Sequence, residues 1–247
     1  MSVTTSPKDL DTLFNVGAHF GYTRSRRHPT AAPLIFGTKD RSDIFDLVQT
    51  SAGLEKALAF VASIAASGKQ ILLVGGKPEA AAAIEAAAAK TELPFVSARW
   101  IGGTVSNFSE IRTRIARMLE LRRTRDGGLR DKYTKHDRLM QDREIEKLEF
   151  RFGGLTTLEK LPAALFVIDP RHEDKAVREA NQLNIPVIAL ANSDCDFSQI
   201  QYPIPGNDSA VKSIGYFVDA FVNAYRENYR AAASATSAEA PKATPAA

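Results

Sequence analysis

The first residues that could do chemistry are Gly75-Gly76 and Lys77, which follow an apolar run and precede an alanine-rich stretch. This order resembles a phosphate cradle, because the N–H groups at a helix N-terminus attract anions. However, GGKPEAAA matches neither glycine-rich nucleotide motif, and no acidic residue lies near Ala98, where a ribose would be held. The segment therefore favours a tight strand-to-helix turn, with Lys77 as a candidate contact to an RNA phosphate.

The residue types used in hydrolysis and metal catalysis are scattered along the chain. The sequence has no H-E-x-x-H and no G-x-S-x-G motif, and its histidines lie far apart, at His19, His28, His136 and His172. The single cysteine, Cys195, lies between two aspartates, whose charge is expected to raise the pKa of its thiol. We expect no catalytic residues and no small-molecule substrate.

Carboxylates follow the predicted strands of the second half. Because the carboxyl ends of parallel strands form the usual ligand edge of a sheet, these groups could share a hard cation such as Mg²⁺; they are Asp169, Asp194, Asp196 and Asp208. Turn and helix-cap roles explain them at least as well, since IDPRHE, NSDCD and GNDS are turn or helix-start sequences. We expect no cofactor, with a cation near Asp194, Asp196 and Asp208 left open.

Cations are concentrated in an arm over residues 19–41. Five of them face a single acid, Asp40, and the aromatic residues Phe20 and Tyr22 lie between them. Pro29 and Pro33 predict an extended chain, which suits an arm laid along a phosphate backbone, although a solvated loop remains the alternative. The candidate RNA contacts here are Arg24, Arg26, Arg27, His28, Lys39 and Arg41.

A second candidate RNA surface begins at RWIGGTVSNF, residues 99–108. Arg99 and Trp100 offer a cation and a stacking face, two glycines allow close backbone approach, and Thr104, Ser106 and Asn107 offer hydrogen bonds. Thirteen Lys or Arg and nine Asp or Glu follow over residues 105–152. The excess lies in the first half, so Arg112, Arg114 and Arg117 are further candidates.

Apolar residues recur at helical spacing inside the same segment. Ile111, Ile115 and Met118 form one stripe, and a looser one is formed by Leu139, Ile145, Leu148 and Phe152. Two helices joined near Asp126-Gly127-Gly128 are predicted, as an inserted antiparallel helical hairpin, or coiled coil, over residues 105–152.

The rest of the chain alternates short apolar runs with helical stretches, the rhythm of a parallel sheet with crossover helices. We predict a flavodoxin- or Rossmann-like α/β core over residues 1–104 and 153–230, with strands at 44–47, 70–76, 93–98, 164–169 and 185–190. Helices are predicted from Ser6-Pro7, over 50–67, 78–90 and 173–184, and from Asp208 to about Arg230. The tail, residues 231–247, is small, polar and proline-containing and is predicted to be disordered.

Composition fits a soluble globular protein, with 44% hydrophobic and 25% charged residues and a net charge of +3. One cysteine, no signal or transit pattern and no long apolar run predict a cytoplasmic protein without membrane contact. Three hypotheses stay open on the residues alone: an RNA-binding structural protein, a nucleotide-binding or enzymatic Rossmann-like protein, and a free coiled-coil interaction protein.

Six segments in register resemble the bacterial-type family of ribosomal protein two of the small subunit. They are GAHFGYTRSRRHP, PLIFG, RWIGGTVSNFSEIR, LPAALFVIDPRHE, IPVIAL and YPIPGNDSAVKSI, and the resemblance covers about residues 8–230. It implies a flavodoxin-like sheet with a projecting helical hairpin and a non-enzymatic role in the cytoplasmic ribosome. The protein would dock on small-subunit rRNA, bridge head and body, and help anchor ribosomal protein one, which assists mRNA capture.

Within the matching segments, the resemblance places RNA contacts at Arg24, Arg26, Lys39, Arg99, Trp100, Thr104, Asn107 and Arg112. The chain departs from the family in several places, one of which is Ala32, where another Lys is frequent. Residues 27–30 read Arg-His-Pro-Thr where the family commonly has Trp-Asn-Pro-Lys, and residues 192–197 read Asn-Ser-Asp-Cys-Asp-Phe where it often has Asp-Thr-Asn-Cys-Asp-Pro. A stacking contact in the arm and a metal or cap role at residues 192–197 therefore do not carry over directly.

Overall fold

A five-stranded parallel sheet forms the centre of the protein. The structure is a computed structural model that describes residues 7–127 and 133–238. The sheet strands are β4 (Ile71–Val74), β5 (Phe95–Val96), β6 (Ala164–Ile168), β7 (Val187–Ala191) and β8 (Tyr202–Pro205). Their order is β5-β4-β6-β7-β8, with every neighbouring pair parallel. The predicted α/β class with a Rossmann-like sheet is confirmed.

Helices cover both faces of this sheet. They are α1 (Pro7–Asn15), α2 (Leu47–Ala66), α3 (Pro78–Thr91), α6 (Asp174–Gln182) and α7 (Val211–Ala238). The side chains of β4 alternate between two apolar cores: Ile71 and Leu73 pack with α2, α3 and α7, whereas Leu72 and Val74 pack with α6. Burial on both faces is why the central strands read as continuous apolar runs.

The strand β8 was not predicted, because two of its four residues are Pro203 and Pro205. Proline has no N–H to donate and is confined to sheet edges, and β8 is the edge strand beside β7. Helix α2 lies against this edge at Gly53, where an added Cβ would be 2.7 Å from the Pro203 carbonyl oxygen.

The prediction that residues 19–41 form an extended arm is wrong. Residues 19–45 fold into a three-stranded antiparallel sheet in the order β1-β3-β2, with β1 at Phe20–Thr23, β2 at Ile35–Lys39 and β3 at Ser42–Phe45. The predicted strand at 44–47 therefore belongs to this small sheet rather than to the parallel one.

Two 3₁₀ helices, Arg24–Arg26 and Pro29–Leu34, separate β1 from β2. Proline was expected to exclude helix, but its fixed φ suits a first helical position, which Pro29 occupies behind the cap residue His28. Asp40 and Arg41, with φ of 49° and 66°, form a tight two-residue connection from β2 to β3.

The inserted helix pair consists of α4 (Phe108–Asp126) and α5 (Lys135–Phe152), inside the predicted 105–152 segment. Ile111, Ile115 and Met118 are buried as predicted, whereas Leu139 is 48% exposed and does not belong to the apolar stripe. Salt bridges from Arg117 to Glu144 and from Arg122 to Glu149 join the two helices. The antiparallel coiled-coil geometry stays a prediction, and Gly128 lies outside the described residues.

Helix α7 continues to Ala238, eight residues beyond the predicted end at Arg230. The prediction of disorder from residue 231 is therefore wrong for residues 231–238. Alanine supplies five of these eight residues and has the highest helix propensity, which outweighs their small and polar character. The remaining tail, 239–247, and the predicted cap Ser6 lie outside the described residues.

Two helical glycines are expected to respond in opposite ways to alanine. Gly53→Ala should destabilise the fold by about 1 to 3 kcal/mol, because the new methyl group collides with the Pro203 carbonyl. Gly215→Ala in α7 should stabilise it by about 0.5 to 1 kcal/mol, since nothing lies within 4 Å of the added Cβ. Urea unfolding measures both; equal effects would contradict the close packing of α2 on β8.

Candidate nucleic-acid interface

The strand-end edge, formed by the carboxyl ends of the parallel strands, is closed by an internal ion network around Lys77. The ammonium of Lys77 lies 3.3 Å from Asp169 Oδ2 and 3.5 Å from Asp208 Oδ2, and it donates to the Tyr22 hydroxyl at 3.1 Å. Its side chain is only 14% exposed. Both carboxylates already hold the ammonium within the fold, and the contact of Lys77 with an RNA phosphate stays a prediction.

The charge state of this network follows from its burial. Burial alone would lower the pKa of Lys77, but Asp208, the hydrogen bond to Tyr22, and Asp169 outweigh it and raise the pKa. The pKa of Asp208 is raised to about 6, first by burial and then by the neighbouring Asp169, although Asn192 and Lys77 act against the rise.

The glycine pair before Lys77 has a packing explanation. An added Cβ would lie 2.8 Å from Ile84 Cγ1 at Gly75 and 2.6 Å from the Ala98 carbonyl oxygen at Gly76. Glycine is needed there so that α3 and the segment after β5 can approach β4, as expected for a tight strand-to-helix turn.

The carboxylates proposed to share a cation are engaged by groups of the protein itself: Lys77 holds Asp169 and Asp208, and other partners engage Asp194 and Asp196. Asp194 accepts from Arg26 at 3.4 Å and from Arg171 at 2.8 Å, while Asp196 caps the 3₁₀ helix Phe197–Gln199. Within residues 7–127 and 133–238, no group of three or more acidic, histidine or cysteine side chains is arranged to hold a metal ion. The cavity beside Asp194 and Asp196 measures about 240 Å³, below the roughly 300 to 1,000 Å³ of small-molecule sites.

Cys195 is buried, and burial first, then Asp169 and Asp194, raises the pKa of its thiol. The expected direction is confirmed, although burial is a larger cause than the neighbouring charges. The cysteine is a poor nucleophile in this setting.

The loop RWIGGTVSN is organised around the carboxylate of Glu179, which projects from α6. Glu179 accepts from the Trp100 indole at 3.2 Å, from the Gly103 N–H at 2.8 Å, and from the Val105 N–H at 3.3 Å. The N–H and hydroxyl of Ser106 complete the set at 3.3 and 3.1 Å. Burial alone would raise the pKa of Glu179, but these hydrogen bonds outweigh it and lower the pKa.

This arrangement engages within the fold several loop residues that were predicted to contact RNA. Trp100 is 4% exposed and packs in the apolar core beside α6, so it offers no stacking face. Thr104 is 1% exposed and donates to the Ile101 carbonyl, and Ser106 is engaged by Glu179. The Glu179 carboxylate thus engages Trp100 and Ser106 within the fold, and the RNA contacts of this loop stay predictions. Sequence reasoning missed Glu179, because a single acid on a polar helix carries no local signal of a distant partner.

Some cations of the arm are also engaged within the fold, whereas others remain exposed. Arg27 forms a bidentate ion pair with Asp43, whose side chain is fully buried, so its guanidinium is engaged within the fold and its RNA contact stays a prediction. Arg26 lies 4.5 Å from the centre of the Tyr22 ring and pairs with Asp194, but its side chain remains 53% exposed. His28 Nδ1 is engaged with the Thr30 hydroxyl at 2.8 Å.

Three predicted arm residues keep exposed side chains, and we call them the hairpin tip: Arg24, Lys39 and Arg41. The Arg24 N–H donates to the Arg41 carbonyl at 2.9 Å, and Lys39 is paired in register with Ser42, the residue after Arg41. Among the described residues, none accepts a hydrogen bond or ion pair from these three side chains. The hairpin tip is therefore a compact group of free cations.

The cations at the start of the inserted helix pair are less free. Arg114 pairs with Glu110 at 3.1 Å, and Arg117 pairs with Glu120 and Glu144. Arg112 donates to the Glu159 carbonyl at 3.2 Å and remains exposed. The side chains of Arg99 and Asn107 are exposed as predicted, and within the described parts of the chain Arg99 has no ion-pair partner.

Fold and site together define an α/β protein with a Rossmann-like sheet, a closed strand-end edge and a cationic β-hairpin. Comparison with known families gives the particular family. Residues 13–228 match the model of "Ribosomal protein S2".

Curated relatives carry the name small ribosomal subunit protein uS2. The chain is 42% identical over 202 residues to that of Roseiflexus castenholzii, covering 82% of this chain and 77% of the relative. It is 43% identical over 205 residues to that of Chloroherpeton thalassium, covering 83% and 82%. It is 38% identical over 240 residues to that of Nocardia farcinica, covering 97% and 83%.

The chain belongs to the ribosomal protein S2 family. It is a structural component of the small ribosomal subunit that serves translation, and it is not an enzyme. The enzymatic alternative is thereby excluded. None of the helices that the structure describes combines the length and apolar character of a membrane span.

Removing Glu179 should loosen the inserted loop. Glu179→Gln is expected to cost about 1 to 3 kcal/mol at pH 7, because a carboxylate that accepts five hydrogen bonds is replaced by an amide. Since the folded-state pKa is lowered, this stabilisation is present above the unfolded-state pKa and is lost as pH falls through the folded-state value. The difference in the free energy of unfolding between wild type and variant should therefore shrink as pH falls below about 4. Urea unfolding at several pH values, with the exposed Glu55→Gln as control, measures this.

Removing Lys77 should leave two buried carboxylates without their cation. Lys77→Met is expected to cost about 3 to 5 kcal/mol at pH 8, against little change for the exposed Lys69→Met. The pKa of Asp208 should rise above about 6 in the variant, because Lys77 lowers it in the wild type. A raised carboxyl pKa favours the folded state as pH falls through that value, so the loss should be smaller at pH 5 than at pH 8. A pH-independent loss would contradict this account.

Proposed function

We propose that the chain binds small-subunit rRNA through the hairpin tip. The free cations of Arg24, Lys39 and Arg41 support the proposal, because phosphate contacts by unpaired Lys and Arg supply most of the affinity of proteins for RNA backbones. The exposed Arg26, Arg99, Asn107 and Arg112 extend this surface as secondary contacts.

In the same proposal the inserted helix pair is mainly a protein-facing support. Its first-helix arginines are paired with Glu110, Glu120 and Glu144, so fewer of them are free for phosphate. Family membership supports contact with neighbouring ribosomal proteins. The resemblance to the family adds an anchoring role for ribosomal protein one, and through it mRNA recruitment, in the cytoplasm.

The test replaces the three hairpin-tip cations together. Arg24→Gln, Lys39→Gln and Arg41→Gln in one chain should reduce the slope of log affinity against log salt by about 2 to 3 on small-subunit rRNA, since each phosphate contact contributes about 0.7 to 0.9. The matched control changes three exposed lysines elsewhere, Lys56, Lys69 and Lys175, and should leave the slope nearly unchanged. An unchanged slope in the hairpin-tip variant would overturn the proposed surface.

A second variant separates the two candidate surfaces. Arg112→Gln, Arg114→Gln and Arg117→Gln should reduce the salt slope by less than the hairpin-tip variant, because two of these arginines already have carboxylate partners. Co-sedimentation with small subunits at low and high salt gives the same comparison in lysate. A larger effect of this variant would place the main RNA contact on α4.

A further inference from the structure

Phe36 is the most exposed large apolar side chain among the described residues, at 81%. It lies in β2, between Ile35 and Gly37. Ile35 pairs with Phe45 and Gly37 pairs with Ile44, so the register of β2 against β3 shifts at this point. A bulge of this kind leaves one residue out of the pairing and redirects its side chain, often beside a functional site. The bulge therefore presents a phenylalanine ring to solvent, with most of its surface uncovered by the fold.

Gly37, the next residue, has no structural reason to be glycine. An added Cβ would meet nothing within 4 Å, and its φ is outside the left-handed region. Glycine inside a strand weakens the strand and often marks a place where a ligand approaches the backbone. The open space over Gly37 is consistent with such an approach.

The register places this glycine on the outward face of the small sheet. Gly37 is opposite Ile44, and Ile44 is opposite Phe20, so these positions share one face. Lys39, two residues along β2, lies on the same face. The opposite face is the buried one, since Asp43 and Phe45 are 0% and 2% exposed.

The hairpin tip borders this face. Arg24, Lys39 and Arg41 have no partners among the described residues, and the acid at the turn is Asp40. An exposed ring, an unobstructed stretch of backbone and free cations are the parts that single-stranded nucleic-acid surfaces combine.

We propose that the outward face of the β1-β3-β2 sheet holds an unpaired RNA base. This rests on the rRNA binding proposed above and names the form of RNA. Phe36 stacks on the base, Gly37 lets the sugar-phosphate backbone approach β2, and the hairpin-tip cations contact the flanking phosphates. A base inside a duplex cannot leave its stack to cover Phe36 without unpairing, so the face selects single-stranded RNA. An acidic peptide would use the cations but would not require a flat ring beside a bare glycine.

The test uses the full chain and a 12-nucleotide single-stranded RNA with 2-aminopurine at its centre, alongside the same sequence as a duplex. The wild type should bind the single strand more tightly and quench its fluorescence through stacking. Phe36→Ala should weaken single-strand binding by about 5- to 100-fold and abolish the quench, whereas Phe36→Trp should restore both. Gly37→Val should weaken binding while leaving the thermal unfolding midpoint equal to or above that of the wild type, because its side chain enters open space.

The matched control is Phe150→Ala, which removes another exposed ring, at 73%, on α5. It should change neither affinity nor quench. Equal binding of single strand and duplex, an unchanged quench in Phe36→Ala, or an equal loss in Phe150→Ala would overturn the inference. Polyglutamate provides a competitor. If its binding depends on Phe36 as strongly as RNA binding does, the face belongs to an acidic peptide and the base-stacking inference is overturned.

These outcomes are distinguishable from failure of the proposed function. In one outcome the hairpin-tip variant loses salt-dependent binding, whereas Phe36→Ala binds RNA as tightly as the wild type. The proposed rRNA binding then stands and the base-stacking inference fails. If neither variant changes binding, the proposed surface itself fails. The salt slope separates the two contributions, since stacking changes affinity with little change in slope whereas loss of a phosphate contact reduces the slope.

Discussion

The carboxylate of Glu179 connects the α/β core to the loop that leads into the inserted helix pair. It projects from α6, which packs on the parallel sheet, and it accepts hydrogen bonds from the backbone and side chains of the loop that leads into α4. Charge-assisted hydrogen bonds of this kind are stronger than neutral ones, and here they also satisfy N–H groups at the entry to a helix. One side chain outside the insertion therefore helps to fix how the inserted helix pair leaves the core, together with the packing of Ile111, Ile115 and Phe152.

Charge in this chain is divided between internal and external use, and the division could not be read from counts of Lys and Arg. Lys77 and Arg27 are held by buried carboxylates, whereas Lys39 and Arg41 remain free although they lie in the same part of the sequence as Arg27. A partner many residues away decides whether a cation is available. The net charge of +3 thus understates the local excess at the hairpin tip.

The parallel core could be predicted because its signals are local. The strands β4, β6 and β7 are buried on both faces, so each is an apolar run between turns. The arm could not be predicted, because its fold depends on distant partners: the Tyr22 N–H donates to Asn192 and Ser193, and the His28 N–H donates to the Ser193 carbonyl. The burial of Trp100 was missed for the same reason, since its partner Glu179 is on a later helix. Exposed Phe36 was not singled out, because the arm was predicted to be extended and a single apolar residue in it carries no local signal of the bulge that exposes it.

The prolines of β8 have a consequence for the protein before it joins a subunit. An open sheet edge exposes a row of N–H and C=O groups that can recruit a strand from another chain, and this is a common start of aggregation. Pro203 and Pro205 remove half of the N–H groups from β8, and α2 covers the Pro203 carbonyl at Gly53. A ribosomal protein is made apart from its rRNA and must remain dispersed until it is incorporated. The edge of this sheet is thus protected during the interval in which the proposed RNA-binding surface is uncovered.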